Sequence, residues 1–154
     1  MRMRRDHGGF EKEIQVMADA GFEALFQAAR AARTHAHVPY SRFPVGAAIR
    51  TSDGTIHAGC NVENAAYPQS QCAEATAIGV MVAAGGRAIE EIVVIGGEAG
   101  DTLLCTPCGG CRQRIREFAG GDTKIHVCGP EGLRLTTTLD ALLPHSFGPE
   151  NLAE

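Results

Sequence analysis

Residues 44–63 read PVGAAIRTSDGTIHAGCNVE and contain the pattern that most constrains the fold. Apolar residues alternate with small or polar ones on both sides of Asp53-Gly54, a dipeptide that favours a two-residue turn between antiparallel strands. This pattern predicts a β-hairpin. Asn61 and Glu63 lie two positions apart on its second strand, so we expect both side chains to project from the face opposite the apolar residues.

The segments around the hairpin predict helices and further strands. Apolar residues recur every three or four positions over 14–29, which predicts a first helix that ends before Pro39. After the hairpin the predicted elements are, in order, a helix over 72–84, a strand over 92–95, a helix over 107–118, a strand over 124–128, a strand over 133–137 and a helix over 139–143. This order predicts an α/β fold in three layers, with a mixed β-sheet covered by helices.

Length and composition limit the class of protein. The chain has 154 residues, of which 44% are hydrophobic and 21% charged, as is typical of one globular domain. We expect residues 1–12 to form a flexible N-terminal extension and residues 13–154 a single domain. The net charge of -4 argues against a nucleic-acid partner and favours a small-molecule ligand. No apolar run is long enough for a membrane span or a signal peptide, so we expect a cytoplasmic protein without a membrane partner.

Three of the six cysteines stand at the predicted starts of helices. Cys72 opens one helix, and Cys108 and Cys111 open the next. The last two are three residues apart, so they share a helical face and can bind one ion. The partial positive charge at a helix N-terminus favours the thiolate, which is the form that binds metal. Three thiolates without an obvious fourth ligand match a catalytic zinc, which keeps one position open for water.

Glu74 is the candidate proton carrier beside this metal. It follows Cys72 by two residues, about 200° around a helix, and is therefore poorly placed to bind the ion alongside that sulfur. From the side its carboxylate can reach the open position. A carboxylate there can take and return a proton, an effect typically worth about 10²–10⁴ in rate.

The motifs Cys72-Ala73-Glu74 and Pro107-Cys108-Gly109-Gly110-Cys111 together resemble the zinc signature of the nucleobase deaminases. That signature is His or Cys, any residue, Glu, and later Pro-Cys-x-x-Cys. Cysteine at the first position is similar to the homotetrameric, zinc-dependent cytidine deaminases that act on free nucleosides. The resemblance extends through residues 40–48, 60–67 and 143–147, and leaves out only the first dozen residues.

The resemblance implies an enzyme with one Zn²⁺ per subunit, bound by Cys72, Cys108 and Cys111, and with Glu74 as the catalytic residue. The implied reaction is hydrolytic deamination of cytidine and 2'-deoxycytidine to uridine and 2'-deoxyuridine, with release of ammonia, in pyrimidine salvage. The implied substrate contacts are Phe43 on the pyrimidine, Asn61 and Glu63 on the ribose hydroxyls, the Ala73 amide and Thr106 carbonyl at the base edge, and Tyr67 and Phe147 in the pocket of a neighbouring subunit of a homotetramer.

Three alternatives remain open from the sequence. The two overlapping C-x2-C steps over 105–111 resemble part of an iron–sulfur site, although the ferredoxin run needs a cysteine where Ile115 stands. A structural zinc with Cys60, Cys105 or Cys128 as fourth ligand would make the chain a non-catalytic, zinc-stabilised module. Within the enzyme interpretation, the alternative substrate is another cytosine-bearing nucleoside such as blasticidin S.

One position departs from the family pattern, because Ala75 follows the catalytic glutamate where the family usually has Arg. Zinc with three thiolates carries a net charge of −1, which weakens the ion's pull on water unless positive groups offset it. We expect Arg112, next to Cys111, to carry more of this compensation than usual. Arg112→Ala should therefore lower zinc affinity and turnover. Measured values equal to wild type would contradict this hypothesis.

Overall fold

The computed structural model describes residues 7–152, with side chains described from residue 20 onward. Its helices and strands are, in chain order, α1 (His7–Arg33), β1 (Gly46–Thr51), β2 (Ile56–Cys60), α2 (Ala73–Ala83), β3 (Ile89–Ile95), α3 (Gly109–Arg116), β4 (Lys124–Gly129), β5 (Gly132–Thr138) and α4 (Leu139–Leu142). Short 3-10 helices lie at Tyr67–Gln69 and Pro149–Asn151. All of the predicted elements are therefore present in the predicted order. None of the helices in this described part of the chain combines the length and apolarity that a membrane crossing requires.

The predicted hairpin is confirmed and forms one side of a five-stranded sheet. The strand order is β2-β1-β3-β4-β5, with β3 and β4 parallel and all other neighbours antiparallel. Gly54 has a φ of 84°, a left-handed conformation that the hairpin turn requires and that glycine adopts without strain. The sheet is mixed, as predicted.

Strand directions bring several chain segments to one end of the sheet. Gly46, the first residue of β1, pairs with Cys60 at the end of β2 and with Ile95 at the end of β3. The loop before β1, the segment after β2 and the loop after β3 therefore meet at this end, which we call the Gly46 end. The N-termini of α2 and α3 follow β2 and β3, so they lie there as well.

Helices cover both faces of the sheet, which confirms the three-layer prediction. On one face α1 contributes Leu25, Phe26 and Ala29 to a core with Ala48, Val93, Ile95 and Cys128. On the other face α2, α3 and α4 contribute residues such as Met81, Ile115 and Leu139 to a core with Ile49, Ile92, Val94, Ile125 and Val127. The alternation of inward residues along each strand divides them between the two cores.

Some boundaries differ from the predictions. Helix α1 begins at His7, inside the segment expected to be an extension. The proposed division of the chain after residue 12 stays a prediction. Strand β2 ends at Cys60, and Asn61 and Glu63 follow it instead of lying on it. After Cys60 the chain pairs elsewhere: the Val62 backbone bonds that of Gln71, and the Asn61 side chain hydrogen-bonds the backbone of the loop before β1.

A polar cluster lies between α1 and the sheet. Arg50 Nε donates to Glu91 Oε1 over 2.7 Å, and His126 Nε2 lies 3.0 Å from Glu91 Oε2. The other ring nitrogen of His126 lies 2.9 Å from the Thr136 hydroxyl, and the Phe22 ring packs edge-on against the imidazole. The bond with His126, followed by the bond and charge of Arg50, lowers the pKa of Glu91 from 4.5 to about 2. The Glu91 carboxylate is therefore a stabilising charge between α1 and the sheet.

We expect Glu91→Gln to reduce the free energy of unfolding at pH 7 by on the order of 2 kcal/mol. Because the folded-state pKa is depressed, this stabilisation is present above pH 4.5 and is lost as the pH falls towards 2. Urea denaturation at a series of pH values measures the difference between wild type and variant, which should shrink in that window. Glu90→Gln, at the exposed neighbouring position, is the control. A difference that does not change with pH would contradict the assignment.

Candidate active site

The side chains of Cys72, Cys108 and Cys111 meet at the Gly46 end of the sheet. Their sulfur atoms lie within 4.8 Å of one another, and those of Cys72 and Cys108 are 3.8 Å apart. Two sulfurs that bind a tetrahedral zinc at about 2.3 Å lie about 3.8 Å apart, so this spacing fits zinc. The donor set therefore fits the predicted ion.

Helix geometry places each sulfur. Cys72 and Cys108 are the residues immediately before α2 and α3, where the backbone is still extended, and Cys111 is buried in the first turn of α3. Neither Cys72 nor Cys108 caps its helix through the side chain, so the sulfurs are free to face each other. The unpaired backbone amides at the two helix N-termini favour negative charge on all three.

The thiols share their protons unequally. Hydrogen bonds from Cys111 and Cys108, with a contribution from the charge of Arg114, lower the pKa of Cys72 to about 6. The bond to Cys72 and burial raise the pKa of Cys111 above its ordinary value. The cluster therefore favours a thiolate, and the remaining protons leave as metal binds.

Glu74 lies in the first turn of α2 with a side chain that is only 4% exposed. Burial, together with the charge of Cys72, raises the pKa of its carboxyl above the ordinary value of 4.5. A carboxyl group with a raised pKa holds a proton more readily near neutral pH, as a general acid and base requires. The sulfur cluster is formed by Cys72, Cys108 and Cys111, so whether Glu74 stays off the ion remains a prediction.

Two adjoining cavities open beside these groups. The inner cavity, of about 140 Å³, is lined by Val45, Asn61, Cys72, Ala73, Glu74, Cys105, Thr106 and Cys108. The outer cavity, of about 450 Å³, is lined by Tyr40, Ser41, Asn61, Glu63, Tyr67, Ser70, Gln71 and Cys72. Asn61 and Cys72 belong to both linings, so the cavities are neighbours.

Asn61 and Glu63 contact the same loop, the one before β1. Asn61 accepts a hydrogen bond from the Val45 amide over 2.8 Å and donates one to the Phe43 carbonyl over 2.9 Å. Glu63 accepts hydrogen bonds from the amides of Tyr40 and Ser41. The bond from the Ser41 side chain, followed by those amides, lowers the pKa of Glu63. Both side chains thus contact the loop that carries Phe43, and their hydrogen bonds hold its backbone in place.

The remaining predicted site residues occupy different positions around the cavities. Ala73 and Thr106 line the inner cavity, and Tyr67 lines the outer one with its ring edge-on to Tyr40. Phe43 and Phe147 lie outside the linings of these two cavities, and their side chains are 44% and 58% exposed. The structure therefore brings the predicted polar and metal-binding residues together and leaves these two rings on the surface.

Arg112 contacts the loop before α3. Its guanidinium donates to the Pro107 carbonyl, the Leu142 carbonyl and the Thr106 hydroxyl. Its expected role in charge compensation stays a prediction. The cation that lowers the pKa of Cys72 is Arg114, which the sequence analysis missed. Its position one turn after Cys111 was the available signal, because helical side chains lean towards the N-terminus.

The three other cysteines do not join the cluster. Across residues 20–152, the sulfur group contains no fourth His, Cys, Asp or Glu ligand. Burial raises the pKa of Cys105 to about 11, and Cys128 belongs to the core on the α1 face. This arrangement favours the open zinc site over the iron–sulfur and four-ligand alternatives.

A three-thiolate zinc site at two helix N-termini, beside a buried carboxyl, defines a zinc-binding α/β protein. The family model for the cytidine and deoxycytidylate deaminase zinc-binding region matches residues 21–127. The chain belongs to this family, and its metal site is the family's zinc-binding region.

Relatives match most of the chain. A cytidine deaminase from Sporosarcina psychrophila is 42% identical over 131 residues, which cover 85% of this chain and 94% of the relative. A cytidine deaminase from Mycobacterium tuberculosis is 37% identical over 137 residues, which cover 88% and 96%. The crystal structure of cytidine deaminase from Burkholderia pseudomallei superposes with a TM-score of 0.73 at 41% identity, covering 81% of this chain and 98% of that one. The fold and the domain are therefore those of the cytidine deaminases.

Proposed function

We propose that this protein is a zinc-dependent cytidine deaminase, which hydrolyses cytidine and 2'-deoxycytidine to uridine and 2'-deoxyuridine and releases ammonia. The observation that carries the proposal is the buried Glu74 carboxyl, with its raised pKa, beside three thiols spaced for zinc. A structural zinc site has no use for such a group. The similar relatives named cytidine deaminase support the same reaction.

The chain's own residues have separate tasks in this reaction. Cys72, Cys108 and Cys111 hold the zinc ion, which when bound supplies Lewis-acid activation of water. Water adds at C4 of the cytosine ring while Glu74 takes one of its protons and delivers it to N3. Glu74 then carries the proton of the new C4 hydroxyl to the exocyclic amino group, the bond between C4 and that nitrogen breaks, ammonia leaves, and a carbonyl forms at C4. Its raised pKa suits both transfers, because the group must accept and return a proton at neutral pH.

Substrate binding uses polar groups that retain hydrogen-bonding capacity. The Asn61 amide nitrogen has two hydrogens and donates one of them to the Phe43 carbonyl. The Glu63 carboxylate accepts hydrogen bonds from two backbone amides and has acceptor positions left for further donors. Both can therefore bind ribose hydroxyls. We assign the base edge to the Ala73 amide and the Thr106 carbonyl, which line the inner cavity, and stacking on the pyrimidine to Phe43. Arg112 supports this site by donating to the Pro107 carbonyl and to the Thr106 hydroxyl.

The exposed aromatic rings support a shared site between subunits. Tyr67, which lines the outer cavity, is 70% exposed, and the Phe147 ring is 58% exposed. We propose that they complete the pocket of a neighbouring subunit in a homotetramer. We assign the reaction to pyrimidine salvage in the cytoplasm, because its substrate is a free nucleoside.

Light scattering of the zinc-loaded protein, run with an activity assay on the same sample, tests the shared pocket. We expect a tetramer, and we expect Phe147→Ala to lower turnover because a neighbouring pocket loses a wall. A monomer that deaminates cytidine at the wild-type rate would contradict the proposal.

Glu74→Gln should lower cytidine turnover by about 10²-fold or more, because the amide cannot accept the transferred proton. The loss of ultraviolet absorbance that accompanies removal of the exocyclic amine measures turnover directly. Zinc content and circular dichroism should match wild type. Glu117→Gln, the same change at an exposed position after α3, is the control and should keep full activity.

Full turnover in Glu74→Gln would refute the assigned role of this residue. If zinc-loaded wild type converts blasticidin S and leaves cytidine unchanged, the substrate assignment is wrong. If it converts neither, the chain is a zinc-stabilised module.

A further inference from the structure

Arg33 joins two loops. It belongs to α1, on the face of the sheet opposite the metal-binding helices α2 and α3. It lies in the last turn of α1, and its side chain is 18% exposed. Its Nε donates to the Pro44 carbonyl over 3.1 Å, and its Nη2 donates to the Gly97 carbonyl over 2.9 Å. Pro44 belongs to the loop before β1 and Gly97 to the loop after β3. One guanidinium thus fixes one backbone carbonyl in each loop.

The two loops carry facing parts of the proposed substrate site. The loop before β1 carries Phe43, and the loop after β3 leads to Cys105 and Thr106 in the lining of the inner cavity. They meet at Gly96, where a side-chain carbon would lie 2.4 Å from the Cys105 sulfur and 3.4 Å from the Phe43 ring. There is no spare room between them, so a shift of either loop changes the space available to a base.

The loop before β1 depends on side chains for its conformation. It precedes the first residue of β1, so Phe43 and Pro44 have no ladder bonds from the sheet. Asn61 binds the Phe43 carbonyl and the Val45 amide from the cavity side. Arg33 binds the intervening Pro44 carbonyl from the α1 side. Hydrogen bonds thus hold this backbone from both sides, and removal of Arg33 takes away the bond on the α1 side.

The Arg33 stem is itself held in place by close packing. A side-chain carbon at Gly46 would lie 2.1 Å from the Ala29 carbonyl oxygen and 2.7 Å from the Arg33 Cβ, so α1 contacts β1 directly at this point. The planar guanidinium can donate to two carbonyls in a fixed geometry, which the single ammonium of lysine cannot reproduce. The carboxylate of Glu98, 3.9 Å away and 79% exposed, adds a weak surface ion pair.

We propose that Arg33 is a positioning residue for substrate binding, which sets the separation between the loop carrying Phe43 and the loop carrying Thr106. The inference rests on the proposed cytidine deamination. The hydrogen bonds of Arg33 go to the two loops, whereas Glu74 and the metal-binding cysteines belong to α2 and α3, on the other face of the sheet. Loss of Arg33 therefore weakens nucleoside binding and leaves the chemical step largely unchanged.

The test compares Arg33→Ala and Arg33→Lys with Arg30→Ala. Arg30 is exposed and lies in the same last turn of α1, so its loss removes the same charge from the helix C-terminus. We expect Arg33→Ala to raise the KM for cytidine by roughly tenfold, as for the loss of charged hydrogen bonds, with kcat within about twofold of wild type. Arg33→Lys should restore only part of the affinity. Arg30→Ala should match wild type.

Two further measurements separate positioning from a general loss of structure. Calorimetric binding of uridine should weaken in parallel with the rise in KM. Guanidinium ion at low, non-denaturing concentration should lower the KM of Arg33→Ala without affecting wild type or Arg30→Ala. If Arg33→Ala does not fold, Arg33→Lys carries the comparison.

A KM for the folded Arg33 variants equal to that of wild type would overturn this inference and leave the proposed function intact. A fall in kcat with unchanged KM would overturn it too, since that pattern places the effect in the chemical step. Absence of turnover in the zinc-loaded wild type would overturn the proposed function, and this inference with it.

Discussion

The antiparallel pairing of β1 with both β2 and β3 is the constraint on which the site depends. Because β1 runs opposite to both neighbours, the start of β1 and the ends of β2 and β3 lie together, at Gly46, Cys60 and Ile95. Helices α2 and α3 leave from this end, so their N-termini converge. The N-terminal ends of two packed helices therefore place the three metal-binding sulfurs within bonding distance of one ion.

Electrostatics at this end of the sheet depends on both backbone and side chains. Three thiolates concentrate negative charge, and the amides at two helix N-termini offset part of it. Ala75 contributes no charge to this balance. The charge of Arg114, an exposed residue on α3, lowers the pKa of Cys72, while Arg112 holds backbone carbonyls. Burial raises the pKa of Glu74, in contrast to the lowered pKa of Cys72, because a carboxyl group removed from water keeps its proton more strongly.

The loop before β1 shows how side chains can serve two purposes. Asn61 and Glu63 line the outer cavity and also bind backbone groups between Tyr40 and Val45. A loop held in this way is ordered before any ligand arrives, so less conformational entropy is lost on binding. Between α1 and the sheet, the cluster of Arg50, Glu91 and His126 stabilises the packing of α1.

The sequence by itself determined the elements, their order and the chemistry of the metal site. Alternation around Asp53-Gly54 predicted the hairpin, and spacing within the motifs at 72–74 and 107–111 predicted the ligands, because these patterns depend on neighbours a few residues apart. The tertiary structure decided what depends on distant contacts. The end of β2 at Cys60, the carbonyl partners of Arg112, the influence of Arg114 on Cys72 and the bridge made by Arg33 to Gly97 all join segments that meet only in the fold. Periodicity cannot predict such contacts, since a side chain's hydrogen-bond partners follow from strand directions and packing and not from its own position in the chain.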